Sequence, residues 1–189
     1  MNINNNSSRI HPLKFLLWVA MGSICMMFAG LTSAYIVKKN QSNFLEFSLP
    51  AIFWYSTLVI VISSITIQLA QINFKARAMS KYRALITITA CLGILFAVLQ
   101  TMGFINLESH GIYLTGSKSN ASASFILIIV GLHALHVLGG VITLLIMFFL
   151  AYFSKTKMYS SVPIELVTSY WHFVGVLWLY LLIFFIWIR

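Results

Sequence analysis

SASFILIIVGLHALHVLGGVITLLIMFFLAYF, residues 122–153, runs for 32 positions without a charged side chain and carries two histidines near its middle. An α-helix rises about 1.5 Å per residue and the hydrocarbon of a bilayer is about 30 Å thick, so about 20 apolar residues make one crossing. A run of this length is a membrane span that tilts or extends past the bilayer. Working outward, four further runs meet the same criterion, at 15–37, 50–72, 84–105 and 165–188. The chain is therefore read as all-α, a polytopic membrane bundle of five transmembrane helices that forms one unit over 15–189. Residues 1–14, polar and rich in Asn and Ser, are too short and hydrophilic to pack and are expected to form a disordered tail.

Composition agrees with this reading. Of 189 residues, 60% are apolar and only 8% are charged, where a soluble domain carries about 25% charged residues. So little polar material cannot cover a water-facing surface, which excludes an ordinary soluble enzyme. The formal charge of +9 does not point to nucleic acid, because the basic residues are separated by long uncharged runs. Basic loops beside apolar spans face anionic headgroups, worth about 1 kcal/mol per Lys or Arg near the surface. The first span is 23 residues long, beyond the 7 to 15 apolar residues, roughly, of a secretory signal, and is read as a retained helix. Cys25 and Cys91 lie inside apolar runs with no CxxC or spaced His partner and are read as packing residues.

Lys and Arg are retained on the cytoplasmic side of a membrane. Arg9, Lys14, Lys75, Arg77, Lys81, Arg83, Lys155 and Lys157 fall on one side, and Lys38, Lys39, Lys118 and Arg189 on the other. The excess predicts a cytoplasmic amino terminus and an external carboxyl terminus. An odd number of spans with no internal repeat argues against the paired halves of many transporters. Pro50 and Pro163 sit at or just before helix starts, where a missing amide hydrogen costs little.

Polar groups at membrane depth are costly and mark the places to look for function. They are Gln68, Gln100, His133, His136 and His172, with Glu165 at the start of the last span. His133 and His136 stand three residues apart on one helix face and could ligate a metal or a haem. No carboxylate or thiolate lies nearby to complete a shell, which favours histidines bonded to neighbouring helices or to lipid headgroups. Glu165 and His172 lie seven residues apart, about 10 Å along one face. That is too far for a direct hydrogen bond, and suits two contacts on one stripe or a water-linked proton path. Small residues at four-residue spacing, Gly30 to Ala34, Ala29 to Ser33 and Gly139 to Thr143, let helix backbones approach closely. Trp171, Trp178, Trp187 and Tyr180 are read as interfacial anchors and bundle contacts.

The segment ELVTSYWHFVGVLWLY, residues 165–180, resembles the final-helix signature of subunit III of haem-copper terminal oxidases, in which a Glu is followed after six residues by HFVDVVW. Glu165, Tyr170, Trp171, His172, Phe173, Val174 and Trp178 carry the likeness. SNASASFILIIVGLHALHVLGG, residues 119–140, is similar to the family's preceding helix with its TGxHGLHVxxG pattern, through Gly131, His133, His136, Val137 and Gly140. SICMMFAGLTSAY, residues 23–35, is similar to the family's SEVMFFAGLxSAY. The resemblance covers all five spans in order, as the family's last five helices and the short five-helix bacterial form. It departs from the pattern at Ile24, Gly103 and Gly175, where the family carries acids.

The resemblance implies a non-catalytic subunit of a bacterial inner-membrane respiratory oxidase that reduces O2 to water and moves protons. Such a subunit has no catalytic residue, metal or cofactor of its own. It packs against the catalytic subunit I, where haem and copper reside, binds phospholipid between helices, and supports proton uptake and sustained turnover. His133, His136, Glu165, Trp171, His172 and Trp178 are the residues expected to contact lipid or other oxidase subunits. Two rival readings remain open from the residues alone: a small proton-coupled transporter or channel using His133, His136, His172 and Glu165 as a relay, and a membrane b-type cytochrome.

Overall fold

The computed structural model describes residues 11–39, 51–109, 121–153 and 160–188. They form five helices, α1 (Pro12–Lys39), α2 (Ile52–Lys75), α3 (Met79–Ser109), α4 (Ala121–Phe153) and α5 (Val162–Ile188), with no strand among the described residues. All five are long and apolar enough to cross a membrane. Most of the expected tail, residues 1–10, lies outside the described residues, but Pro12 to Lys14 belong to α1. The helix starts early because His11 caps it, its Nδ1 accepting the Leu13 amide at 3.3 Å, with Pro12 at the first helical position. Similarly, α3 begins five residues before the apolar run at 84, following a tight reversal after α2. There Arg77 takes a left-handed backbone (φ 58°), and the Ala76, Arg77 and Ala78 amides donate to the carbonyls of Ile72, Phe74 and Asn73.

Helices α2, α3, α4 and α5 pack in a ring, each touching the next, and α1 lies outside this ring against α4 and α5. Two apolar clusters follow that division. Ile60, Ile67, Ile86, Phe96, Leu144, Trp171 and Trp178 fill the ring, while Phe28 and Tyr35 of α1 pack with Ile129, Leu181 and Phe184. The outer faces remain apolar, with Trp18, Met26, Trp54, Leu135 and Ile183 exposed, as a hydrocarbon solvent allows.

Lipid is as apolar as leucine, so helices in it are held by close packing and interhelical hydrogen bonds. Trp171 Nε1 donates to Ser63 Oγ at 3.0 Å, Trp178 Nε1 to Thr57 Oγ1 at 3.0 Å and Gln100 Nε2 to Ser56 Oγ at 3.1 Å. Thr66 and Thr89 hydroxyls meet at 2.9 Å, joining α2 to α3, and Thr32 and Tyr180 hydroxyls at 2.7 Å, joining α1 to α5. Close packing is provided by glycine. A Cβ on Gly140 would stand 2.9 Å from two atoms of the Trp171 ring, and one on Gly103 would stand 2.6 Å from Phe53 Cε1. Phe53 thus takes the space a carboxylate side chain would need at Gly103.

Candidate functional site

Glu165 lies in the first turn of α5, where a negative charge is favoured by the helix dipole. Its Oε2 accepts from Lys14 Nζ of α1, and its Oε1 lies 2.8 Å from Lys75 Nζ of α2 and accepts from Ser161 Oγ at 3.2 Å. One carboxylate therefore joins three helices, and the start of α1, the end of α2 and the start of α5 lie at the same end of the bundle. Two ammonium groups on one carboxylate leave a net positive charge there.

His172 is half-buried on α5, seven residues beyond Glu165. Its Nε2 lies 3.2 Å from Gln68 Oε1 of α2, so the imidazole donates and the amide oxygen accepts. A groove of about 430 Å³ opens here between α2 and α5, lined by Ser64, Gln68, His172 and Gly175 among apolar side chains. Glu165 and His172 are each tied to α2, at two levels, without touching one another through any described hydrogen bond.

The two histidines of α4 part company. His133 is only 2% exposed, stacks on the indole of Trp178 with ring centroids 5.5 Å apart, and has no hydrogen-bond partner for either ring nitrogen among the described residues. His136 donates from Nδ1 to Leu132 O of its own helix at 2.6 Å and meets Phe28 of α1 edge-on at 5.9 Å. The expectation that both rings bond to neighbouring helices is corrected among the described residues. One stacks in the interior and the other bonds to its own backbone. The carbonyl of His136, by contrast, does reach across, accepting from Tyr170 Oη of α5 at 3.0 Å.

Trp171 and Trp178 are fully buried inside the ring, where they act as bundle contacts and not as interfacial anchors. Trp187 is exposed at the far end of α5. Burial leaves Trp171, Trp178 and His133 in the chain's interior, so Glu165, His172 and His136 are the expected contact residues that reach its edges. Among the described residues, no three of His, Cys, Asp and Glu come together in a group that could hold a metal. The four members of the supposed relay have separate partners: Lys14 and Lys75, Gln68, Trp178, and Leu132 with Phe28.

The sequence reading missed Lys14 and Lys75 as the partners of Glu165, and Ser63 and Thr57 as those of the tryptophans. The charge reading places Lys14 in the tail and Lys75 in the second loop. A signal was available in the chain having three acids against twelve bases, since an acid beside an apolar span needs a cation. The serine and threonine signals were weaker, because such residues equally bond to their own helix, as Thr57 does to Phe53 O at 2.7 Å.

Comparison with known proteins adds to this geometry. The family model for cytochrome c oxidase subunit III matches residues 45–189. A protein of Mycobacterium tuberculosis (strain ATCC 25618 / H37Rv) named probable cytochrome c oxidase subunit 3 is 30% identical over 189 residues, covering 92% of this chain and 89% of that one. The cytochrome bo(3) ubiquinol oxidase subunit 3 of Buchnera aphidicola is 28% identical, with 94% and 89% covered. The cytochrome c oxidase subunit 3 of Bacillus sp. (strain PS3) is 28% identical over 174 residues, with 89% and 82% covered.

Proposed function

The chain belongs to the cytochrome c oxidase subunit III family, and we propose that it is a cofactor-free bracing subunit of a bacterial inner-membrane oxidase, seated against the catalytic subunit I. As a member of that family it is a multi-pass membrane protein and an accessory subunit of a terminal oxidase, in complex with other oxidase subunits. Haem and copper belong to the partner subunits. Among the described residues no three of His, Cys, Asp and Glu come together that could hold a metal.

What the chain contributes is shape and contacts. The observation that carries the proposal is the ring of α2 to α5, closed by Trp171 and Trp178 and braced to α1 through Glu165. A subunit built this way holds a fixed outer surface against its neighbours. In this reading the amino terminus is cytoplasmic, the surplus positive charge at Lys14 and Lys75 faces anionic phospholipid headgroups, and Glu165, His172 and His136 are the contacts toward lipid or other subunits. With Ile24, Gly103 and Gly175 in place of acids, the support to turnover comes through stability of the assembly and lipid retention. Residues 15–189 work as one unit.

Co-purification tests the proposal. A tagged copy extracted in mild detergent should bring with it polypeptides carrying haem and copper in fixed ratio to the chain. Recovery of the chain alone, or with proteins free of haem, would overturn it. The transporter reading gains nothing from the separate partners of its four relay residues.

A further inference from the structure

Inside the ring, one layer of side chains is repeated seven residues further along each of the four helices. The first layer is the Trp171 indole, bonded to Ser63 of α2 and lying against Gly93 of α3 and Gly140 of α4. Seven residues are nearly two helical turns, so each step returns to the same helix face about 10 Å along the axis. Because consecutive spans run antiparallel, the step leads to Trp178 on α5, Ser56 on α2, Gln100 on α3 and His133 on α4. The contacts agree with this register. His133 stacks on Trp178, whose Nε1 donates to Thr57 beside Ser56, and Gln100 Nε2 donates to Ser56 Oγ at 3.1 Å. Where the first layer has two glycines filled by an indole, the second has Gln100 and His133, only 5% and 2% exposed.

These two side chains carry hydrogen-bonding capacity that the protein itself leaves over. Ser56 gives its one hydroxyl proton to Phe53 O at 2.9 Å, so Gln100 must offer its NH2 group to Ser56 Oγ, and its amide oxygen is free to accept. That oxygen and both ring nitrogens of His133 are buried without a hydrogen-bond partner among the described residues. Lipid does not reach them, since the rings of Phe53 and Phe96 close on Trp178 at 5.7 and 6.0 Å. An imidazole carries at least one N–H in either protonation state, so facing helices present a donor and an acceptor at one level. Buried polar groups left over in this way are met by water, which makes about three hydrogen bonds at once. We infer that a water molecule is bound inside the ring between α3 and α4, accepting from a His133 N–H and donating to Gln100 Oε1. It joins α3 to α4 in the second layer, as the Trp171 ring does by contact in the first. The inference goes beyond the subunit assignment and rests only on the four-helix ring.

Solid-state NMR of the isotope-labelled full chain, in bilayers with its native partners, tests it. Magnetisation passed from water protons should reach the His133 ring N–H, assigned through backbone correlations. The transfer should drop at least tenfold in Gln100→Met, which keeps the side-chain length and removes the amide oxygen. It should stay unchanged in Thr66→Val, which removes an α2–α3 hydrogen bond at another level of the ring. The parent protein alone decides the matter where a variant fails to assemble. A His133 N–H that receives no magnetisation from water, whether free or bonded directly to Gln100 Oε1, would overturn the site. So would a transfer that Gln100→Met leaves at full strength, because the water would then not be held by the amide.

Discussion

The indole N–H of Trp171, on α5, donates to Ser63 Oγ, on α2, at 3.0 Å, while the same ring occupies the space left by Gly93 on α3 and Gly140 on α4. One side chain thus touches the other three helices of the ring. Where no hydrophobic force drives helices together, such a residue is worth its full packing energy plus a hydrogen bond measured in membranes at about 0.6 to 2 kcal/mol.

Gly140→Val should therefore be among the most damaging single changes. Its Cβ would begin 2.9 Å from Trp171 Cε3 and Cζ3, and overpacking of this kind costs about 1 to 3 kcal/mol. Ser63→Ala should cost about 1 kcal/mol, and Gly22→Ala, which meets nothing within 4 Å, close to none. Thermal aggregation midpoints in detergent should follow that order. A Gly140→Val protein as stable as the parent would show that Trp171 does not sit against α4.

How far the sequence could be read depends on what kind of signal each feature leaves. The five spans were legible because an uncharged run of about 20 residues has one stable outcome in a bilayer. Their ends were not, because caps are local devices. His11 started α1 before the apolar run, and the left-handed Arg77 let α3 start before its own. Glu165 and His172 stood out as polar residues near or within spans, but their partners Lys14, Lys75 and Gln68 lie far away in sequence, on α5's neighbours. The division of His133 from His136 was also out of reach. A spacing of three residues puts two side chains on one face, yet on α4 that face borders both the ring interior and α1.

Glu165→Gln should loosen the start of α1. That end is held to α5 by the Lys14 pair, and partly exposed pairs of this kind contribute up to about 1 kcal/mol. Amide hydrogen exchange over 13–18 should quicken several-fold while exchange in α3 is unchanged. Equal rates in variant and parent would remove Glu165 as the brace.

Reporter fusions check the orientation. Eight basic residues against four predict a cytoplasmic reporter after Lys81 and an external one after Arg189. Both on the same side would contradict five crossings.

The chain purified by itself should show neither a stoichiometric Soret band nor bound copper. His133 faces Trp178 inside the ring while His136 bonds Leu132 O and meets Phe28 of α1, and among the described residues no further His, Cys, Asp or Glu joins them to complete a ligand set. Haem or copper at one equivalent per chain would require α4 to rearrange and would refute this arrangement.

His172→Leu separates bracing from chemistry. The imidazole fixes α5 to α2 through Gln68 at 3.2 Å and lines the groove between those helices, so its loss should lower assembly yield, lipid retention or the length of time that turnover lasts. Initial O2 reduction by the complex that does assemble should fall less than tenfold, which is about 1.4 kcal/mol in barrier height, because a contact made equally in ground and transition states leaves the chemical step alone. His172→Gln, which can still donate to an amide oxygen, should recover most of the yield. A fully assembled His172→Leu complex that keeps its lipid yet loses nearly all initial turnover would place the imidazole on a proton or electron path, and the bracing role of the α2–α5 contact would have to be abandoned.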